Sequence, residues 1–297
     1  MIDLTNLTTE MRNSKTMDLD TKSALEIATI MNEEDNNVVA GVKEAIPQIS
    51  KAIEWCFEAL QKGGRIIYIG AGTSGRLGLL DAVECPPTFG VSPETVIGLI
   101  AGGDNAFIKA VEGAEDKNEL GVEDLKKVKC TKDDIVIGLA ASGRTPYVMG
   151  ALEYANKLGC KTIAVACNKN SKIGQVAQLA IEVVNGPEVL TGSTRLKSGT
   201  AQKMVLNMMS TGAMILSGKV YQNLMVDLQQ TNEKLVERAE NIIMAATDCT
   251  KEDAEKARIA SNGNVKVAIT MILLNCDADT AKIKLNAVKG YIRKAVK

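Results

Sequence analysis

No histidine occurs anywhere in the chain. Histidine is the usual proton shuttle near neutral pH and the commonest transition-metal ligand. Acid–base chemistry here therefore falls to carboxylates, lysine, tyrosine or thiol, and Ser-His-Asp and Cys-His hydrolases are excluded. Aromatic residues are scarce, with one Trp, five Tyr and three Phe, too few for a base-stacking surface. There is no dense Lys/Arg block and the net charge is −1, which argues against nucleic acid and anionic membranes as partners. No apolar run approaches the roughly 20 residues that cross a bilayer, and the polar start MIDLTNLTTEMRNSKTMDLD has no apolar stretch of the kind a secretory signal needs. The seven cysteines are scattered and form no C-x-x-C pair, so reduced thiols in a cytoplasmic protein are expected, without structural zinc.

What remains is ordinary soluble-protein composition, 45% apolar and 24% charged over 297 residues, enough for one large domain with an appendage or two modest domains. The first twenty residues read as a polar arm. From Thr21 to about Leu60 the pattern is helical: Val38, Val42, Ile46, Ile49, Ile53, Phe57 and Leu60 recur at steps of three and four, and Gly63-Gly64 ends the helix. Short apolar runs at Arg65–Ile69, Thr95–Ala101, Asp134–Leu139, Thr162–Ala166 and Leu179–Val184 then alternate with helical stretches such as Tyr147–Leu158 and Ser171–Gln178. Strands too apolar to face water, each bounded by helices, predict an α/β fold with a parallel sheet covered on both faces. A long helix over Lys197–Ser217 closes this part. Beyond Val220 the strand pattern stops and short helices follow, with Thr250/Asp253 and Asp277/Thr280 offering N-caps. The expected division is an arm and helices over 1–54, a sheet domain over 55–219 and a small all-helical domain over 220–297.

Gly70, Gly72 and Gly75 follow the first strand in G-x-G-x-x-G spacing. A dinucleotide fold also asks for an acidic residue about 20 positions further on, at the end of the second strand. Here Asp104 comes too late, and the Pro-rich DAVECPPTFGVSPE is too long for a simple return. No Gly-Lys-Ser/Thr is present for a Walker loop either. What the loop does offer is backbone N–H groups and hydroxyls at a helix start, where the dipole favours an anion. Ser74-Gly75-Arg76 after the first strand is echoed by Ser142-Gly143-Arg144 after the third, and a hydroxyl-rich third loop, LTGSTRLKSGTAQK, leads into the long helix. Loops at the carboxyl ends of parallel strands meet at the topological switch point. Gly72, Thr73 and Ser74, with Ser142, Gly143, Arg144 and Thr145, and with Ser193 and Thr194, are therefore expected to converge on one phosphate. Arg76 could add charge or pack away from the site. The competing reading is that these residues are only helix caps and tight turns.

The segments GAGTSGRLGLLDAVECPPTFG, IAGGDNAFIKAVEGAED, AASGRTPYV, TGSTRLKSGTAQKMVLNMMSTGAMI and GKVYQNLMVDLQQTNEKL, together with TTEMRN over Thr8–Asn13, resemble the N-acetylmuramic acid 6-phosphate etherases nearly end to end. The resemblance implies a sugar isomerase (SIS) domain, a helical C-terminal domain similar to ubiquitin-associated modules, a homodimer with the site near the subunit interface, and a sugar-phosphate substrate with no cofactor and no metal. It implies cleavage of the D-lactyl ether by β-elimination and re-addition of water, in the breakdown and recycling of cell-wall amino sugars. Glu84, in DAVECPPT, carries over as the acid on the leaving oxygen and the activator of water. Glu115, in VEGAED, carries over as the base at C2. Keeping Glu84 protonated near neutral pH, against a usual value of about 4.3, needs an apolar or anionic setting, which ECPPTF could provide.

Pattern alone reads these residues more plainly. Glu115 stands in an acidic run that suits a solvated helix face, Glu84 adjoins a Pro-Pro turn, and Cys85 reads as a small buried hydrophobe. Met204, Met208, Met209 and Met214 read as helix-packing core. Lys197 touches the substrate's carboxylate or phosphate, or is a plain surface lysine. Two other functions stay open at this point: an aldose–ketose isomerase on the same fold, and a non-catalytic sugar-phosphate sensor, which could dispense with the two glutamates.

Overall fold

The computed structural model describes residues 7–109, 111–230 and 232–297, so the first six residues of the expected arm lie outside it. In chain order, short 3-10 turns between Thr8 and Thr21 lead into α1 (Ala24–Glu44), α2 (Ile46–Gln61), β1 (Ile66–Gly70), α3 (Gly72–Phe89), β2 (Val96–Ile100), α4 (Asn118–Lys127), β3 (Ile135–Leu139), α5 (Pro146–Leu158), β4 (Lys161–Ala166), α6 (Lys172–Val176), β5 (Leu179–Glu182) and α7 (Lys197–Leu216). A two-residue-per-strand hairpin, β6 (Val220–Tyr221) and β7 (Leu224–Met225), precedes α8 (Glu233–Thr247), α9 (Lys251–Ala260), α10 (Val265–Leu274), α11 (Ala278–Ala287) and α12 (Ile292–Ala295). The chain divides into two compact units, Met1–Val83 with Glu94–Ser210, and Glu84–Pro93 with Thr211–Lys297.

In the first unit the sheet order is β2-β1-β3-β4-β5, and every pairing is parallel. Side chains alternate across a strand. Ile67, Ile69, Val136, Ala164 and Ala166 therefore share one face, packed with Leu125 of α4 and Val148, Ala151, Leu152 and Ala155 of α5. Ile66, Tyr68, Ile135, Ile137 and Ile163 take the other face and are fully buried as well, with α2 packed against β1, β3 and β5. Burial on both faces explains why the strands read as continuous apolar runs. α4 and α5 approach closely because Gly121 and Gly150 carry no side chain: a Cβ at Gly121 would run into the Tyr147 carbonyl, and one at Gly150 into that of Asn118.

The second unit packs its five helices around Ala239, Ile243, Ala254, Ala268, Ile269 and Ala281. Thr250 and Asp277 cap their helices, accepting from the backbone N–H of Asp253 and Thr280 respectively.

Three local expectations change. The Thr21–Leu60 stretch is two helices, with Pro47 in the first turn of α2 and Ala45 as the C-cap of α1; proline supplies no N–H for the carbonyl four residues earlier, at Lys43, and its ring crowds that carbonyl. Pro86 and Pro87 do not form a turn but lie inside the last turns of α3, where neither can donate an N–H to the carbonyl four residues earlier, at Ala82 and Val83. The chain beyond Val220 begins with the β6–β7 hairpin, turning through Gln222 at φ 55.

Candidate active site

A cavity of about 540 Å³ opens among the carboxyl-end loops of β1 and β3, within the range typical of small-molecule sites. Each wall is built by a loop that the sheet delivers. β1 ends at Gly70, and Gly72 turns the chain through φ +52 into α3. Gly70 and Gly75 serve close approach: a Cβ at Gly75 would lie 2.7 Å from the Gly70 carbonyl and 2.6 Å from the Ile100 side chain. The glycine spacing is thus required by strand-to-helix packing, whatever the ligand. Gly72, Thr73 and Ser74 line the cavity, and the first turn of α3 brings unpaired N–H character and positive dipole to it.

The second wall is Ser142, Arg144 and Thr145, ahead of Pro146 at the start of α5. Gly143 lies behind this wall rather than on it. It is a buried turn at φ +74 whose Cβ would run into the Ser171 side chain. The loop is held from outside by Asn168, whose amide donates to the carbonyls of Ala141 and Ser142, both at 3.3 Å. From the third loop Gly192 and Thr194 reach the cavity; Ser193 is not part of the lining.

Glu115 also lines the cavity. Its backbone carbonyl accepts the Tyr147 N–H at 3.0 Å, one of the first-turn donors of α5 that have no partner within their own helix. That bond fastens the segment carrying Glu115 to the helix start that carries Thr145. Arg76 turns away from the cavity and braces the loop between β2 and Glu115, donating to the carbonyls of Ala106 and Phe107, both at 2.8 Å.

Lys197 is not a surface lysine and does not line the cavity. It is 1% exposed, and its Nζ lies 2.8 Å from Glu34 Oε2. Burial on its own would raise the Glu34 carboxyl, but hydrogen bonds from Lys197, Lys15 and Asn13 overcome it and hold the group down at about 2. The first backbone N–H groups of α7 are likewise taken, since the buried Glu188 carboxylate accepts from Lys197 N, Ser198 N and Ser198 Oγ. Glu84 is exposed, stands near the far end of α3 from Gly72, and is not among the lining residues.

Three further charged groups, which no motif marks as site residues, line the cavity: Glu10, Asp116 and Lys172. Glu10 is brought there by the arm, which is strapped to the loops by Thr9: its N–H donates to Asn168 Oδ1, and its hydroxyl accepts from Asn168 Nδ2. The TTEMRN segment was the only signal for it. The cavity therefore combines two helix starts with the cations Arg144 and Lys172 and the carboxylates Glu10, Glu115 and Asp116. Among the described residues no group of three or more potential metal ligands occurs.

Two family models match the chain, the N-terminal SIS domain of glucokinase regulatory protein over residues 48–156 and the SIS domain over 122–212. In fold, the chain is similar to a ligand-bound protein of E. coli CFT073, with a TM-score of 0.50, 19% identity, and coverage of 68% of this chain and 97% of that one. The fold and its loops define an SIS-domain protein. The curated relatives narrow this. An N-acetylmuramic acid 6-phosphate etherase of Enterobacter sp. (strain 638) is 57% identical, covering 99% of both chains. One of Halalkalibacterium halodurans is 58% identical, covering 99% of this chain and 98% of the relative. The chain belongs to the N-acetylmuramic acid 6-phosphate etherase family.

Proposed function

We propose that this protein, like the relatives it matches end to end, cleaves the D-lactyl ether of N-acetylmuramic acid 6-phosphate to N-acetylglucosamine 6-phosphate and D-lactate. It does so as a carbon–oxygen lyase acting on a sugar derived from the cell wall, in the cytoplasm. The observation that carries the reading is the shared cavity: Glu115 opens into the same space as Thr73, Ser74, Ser142 and Thr145. A candidate base beside a candidate phosphate site is what the elimination requires. The full-length relatives are etherases, which favours elimination over the isomerase and sensor readings.

An alkyl ether is a poor leaving group for direct displacement. In the open-chain sugar the C2 proton is acidified by the C1 aldehyde and the lactyl oxygen sits on C3, in position for β-elimination. The phosphate is held at the starts of α3 and α5 by the hydroxyls and Arg144. Glu115 takes the C2 proton, and the electron pair enters the C1–C2 enolate. The enolate collapses to a C2–C3 double bond, the C3–O bond breaks, and Glu84 protonates the departing lactate oxygen. Water then adds at C3 as Glu84 takes its proton, and Glu115 returns the proton to C2. The sum is addition of one water across the ether.

Glu84 needs a route to this chemistry. An acid that must hold a proton needs cover, which an exposed position in one chain does not supply. Leu80, one turn before Glu84 on the same face of α3, is 46% exposed, and Val83 is 60% exposed. Apolar side chains left open beside a functional carboxyl favour a homodimer in which α3 of a second copy brings Glu84 to the cavity and covers it. The direct test is incubation with N-acetylmuramic acid 6-phosphate and enzymatic detection of D-lactate. An isomerised sugar phosphate with no lactate would overturn the reading.

A further inference from the structure

Ser74 is the most buried of the hydroxyl residues that line the cavity, at 7% exposure. Its Oγ lies 2.9 Å from Oε1 of Gln202, on the second turn of α7. Gln202 is 1% exposed, and among the described residues its Nε2 has no hydrogen-bond partner. A buried amide donor without a partner is costly and calls for an explanation.

The two facts are complementary. A serine hydroxyl has a single proton. With the carbonyl of Gln202 facing it, that proton is spent on Gln202 and is lost to any phosphate oxygen, which is purely an acceptor. Turning the Gln202 amide by half a revolution about its last side-chain bond brings Nε2 to Ser74 Oγ. The orphaned N–H then donates to a lone pair of Oγ, and the Oγ proton is released toward the cavity. The carbonyl displaced by the turn is the easier group to leave unpaired.

We propose that Gln202 is a positioning residue for phosphate binding, its amide rotating to set the direction in which Ser74 donates. The inference rests on Ser74 being a phosphate ligand and deepens that reading. It makes an inverted prediction for the conservative variant. In Gln202→Glu the carboxylate is acceptor-only, so it keeps the Ser74 proton and sets a like charge behind the phosphate. In Gln202→Met the Ser74 proton is free. If Gln202 only braced the loop, Gln202→Met, which loses the bond altogether, would weaken phosphate as well.

The experiment measures dissociation constants for inorganic phosphate by calorimetry at pH 8 on the full chain, alongside KM and kcat for N-acetylmuramic acid 6-phosphate. Gln202→Glu is expected to weaken phosphate by about tenfold to a hundredfold, the scale of a lost charge-assisted hydrogen bond, acting on KM more than kcat. Gln202→Met is expected to stay within about threefold of the native chain. Equal effects, or the reverse order, overturn the proposal. Ser74→Ala separates the two layers. If it leaves phosphate affinity unchanged, the phosphate site itself is misassigned; if it weakens phosphate while the Gln202 order fails, only the rotation is wrong. A readout independent of variant folding is the side-chain amide NMR signal of Gln202 in the native chain, assigned by its loss in Gln202→Met. It should shift at saturating phosphate as the N–H gains a partner, and an unmoved signal overturns the rotation.

Discussion

Replacing Lys197 by Met tests whether this lysine holds the fold or the substrate. The Glu34 carboxyl is 5% exposed and sits at about 2, below its ordinary 4.5. That displacement corresponds to roughly 3 kcal/mol of stability at neutral pH. Four donors reach it: Lys197 at 2.8 Å, Asn13 at 2.8 Å, Lys15 at 3.0 Å and Asn37 at 3.4 Å. The Lys15 side chain is 73% exposed, and exposed partners contribute little, so Lys197 carries most of the charge compensation. Removing one member of a buried pair strands the other, at a typical cost of about 3–5 kcal/mol. Lys197→Met should therefore lower the melting temperature by roughly 6–12 °C, while kcat and KM measured well below the transition stay near native values.

The pH dependence has a definite sign. A carboxyl depressed in the folded state contributes fully above its ordinary value and loses that contribution as pH falls toward the folded one. The stability gap between native and variant chains, followed by urea denaturation, should be constant from pH 7 to about 5 and close progressively below about 4.5. An unchanged melting temperature together with a raised KM would make Lys197 a substrate ligand and refute the ion-pair account.

Glu115→Ala and Glu84→Ala should each abolish lactate release, but only Glu84→Ala should retain exchange of the C2 proton in deuterated water; loss of exchange in both would count against the division of roles. If the two carboxyls come from different subunits, re-association of the two inactive variants should restore about a quarter of native activity, because half the dimers are mixed and each has one intact site. No recovery would mean that both act within one chain. Unphosphorylated N-acetylmuramic acid should be a very poor substrate, and a comparable kcat/KM would remove the phosphate from the binding account. Asn168→Ala cuts the link between the arm and the Ser142 loop, so KM should rise about threefold to thirtyfold through loss of hydrogen bonds of ordinary strength, with proteolysis of the arm accelerated. A KM and a proteolysis rate both unchanged would show that the strap has no such role.

Much of this was legible in the chain because it depends on local chemistry. Strands buried on both faces must be apolar along their whole length, so β1 to β5 stand out to within a residue or so at most of their ends. Thr250 and Asp277 announce helix starts because their side chains satisfy N–H groups only three residues away. The hydroxyl loops were visible because a helix start after a parallel strand needs small residues and donors, and the absence of histidine confined the proton chemistry to other groups. Pro47 was equally visible, and the break at Ala45 follows from it by local rules alone.

Contacts between distant segments had no local signature. Lys197 and Glu34 are separated by 163 positions, and nothing in either neighbourhood distinguishes a buried partner from a solvated charge. The same holds for Ser74 with Gln202 and for Thr9 with Asn168, where the meaning of a polar residue depends on the group that folding sets against it. Glu10 entered the cavity only because the arm crosses the carboxyl edge of the sheet. Side-chain polarity, backbone restriction and residue type were enough to set the elements, the layered parallel sheet and the class of chemistry open to the protein. Which charged and polar groups bond to one another, and which are left to face a ligand, was settled only by folding, because desolvation and pairing are properties of a place in space and not of a position in a chain.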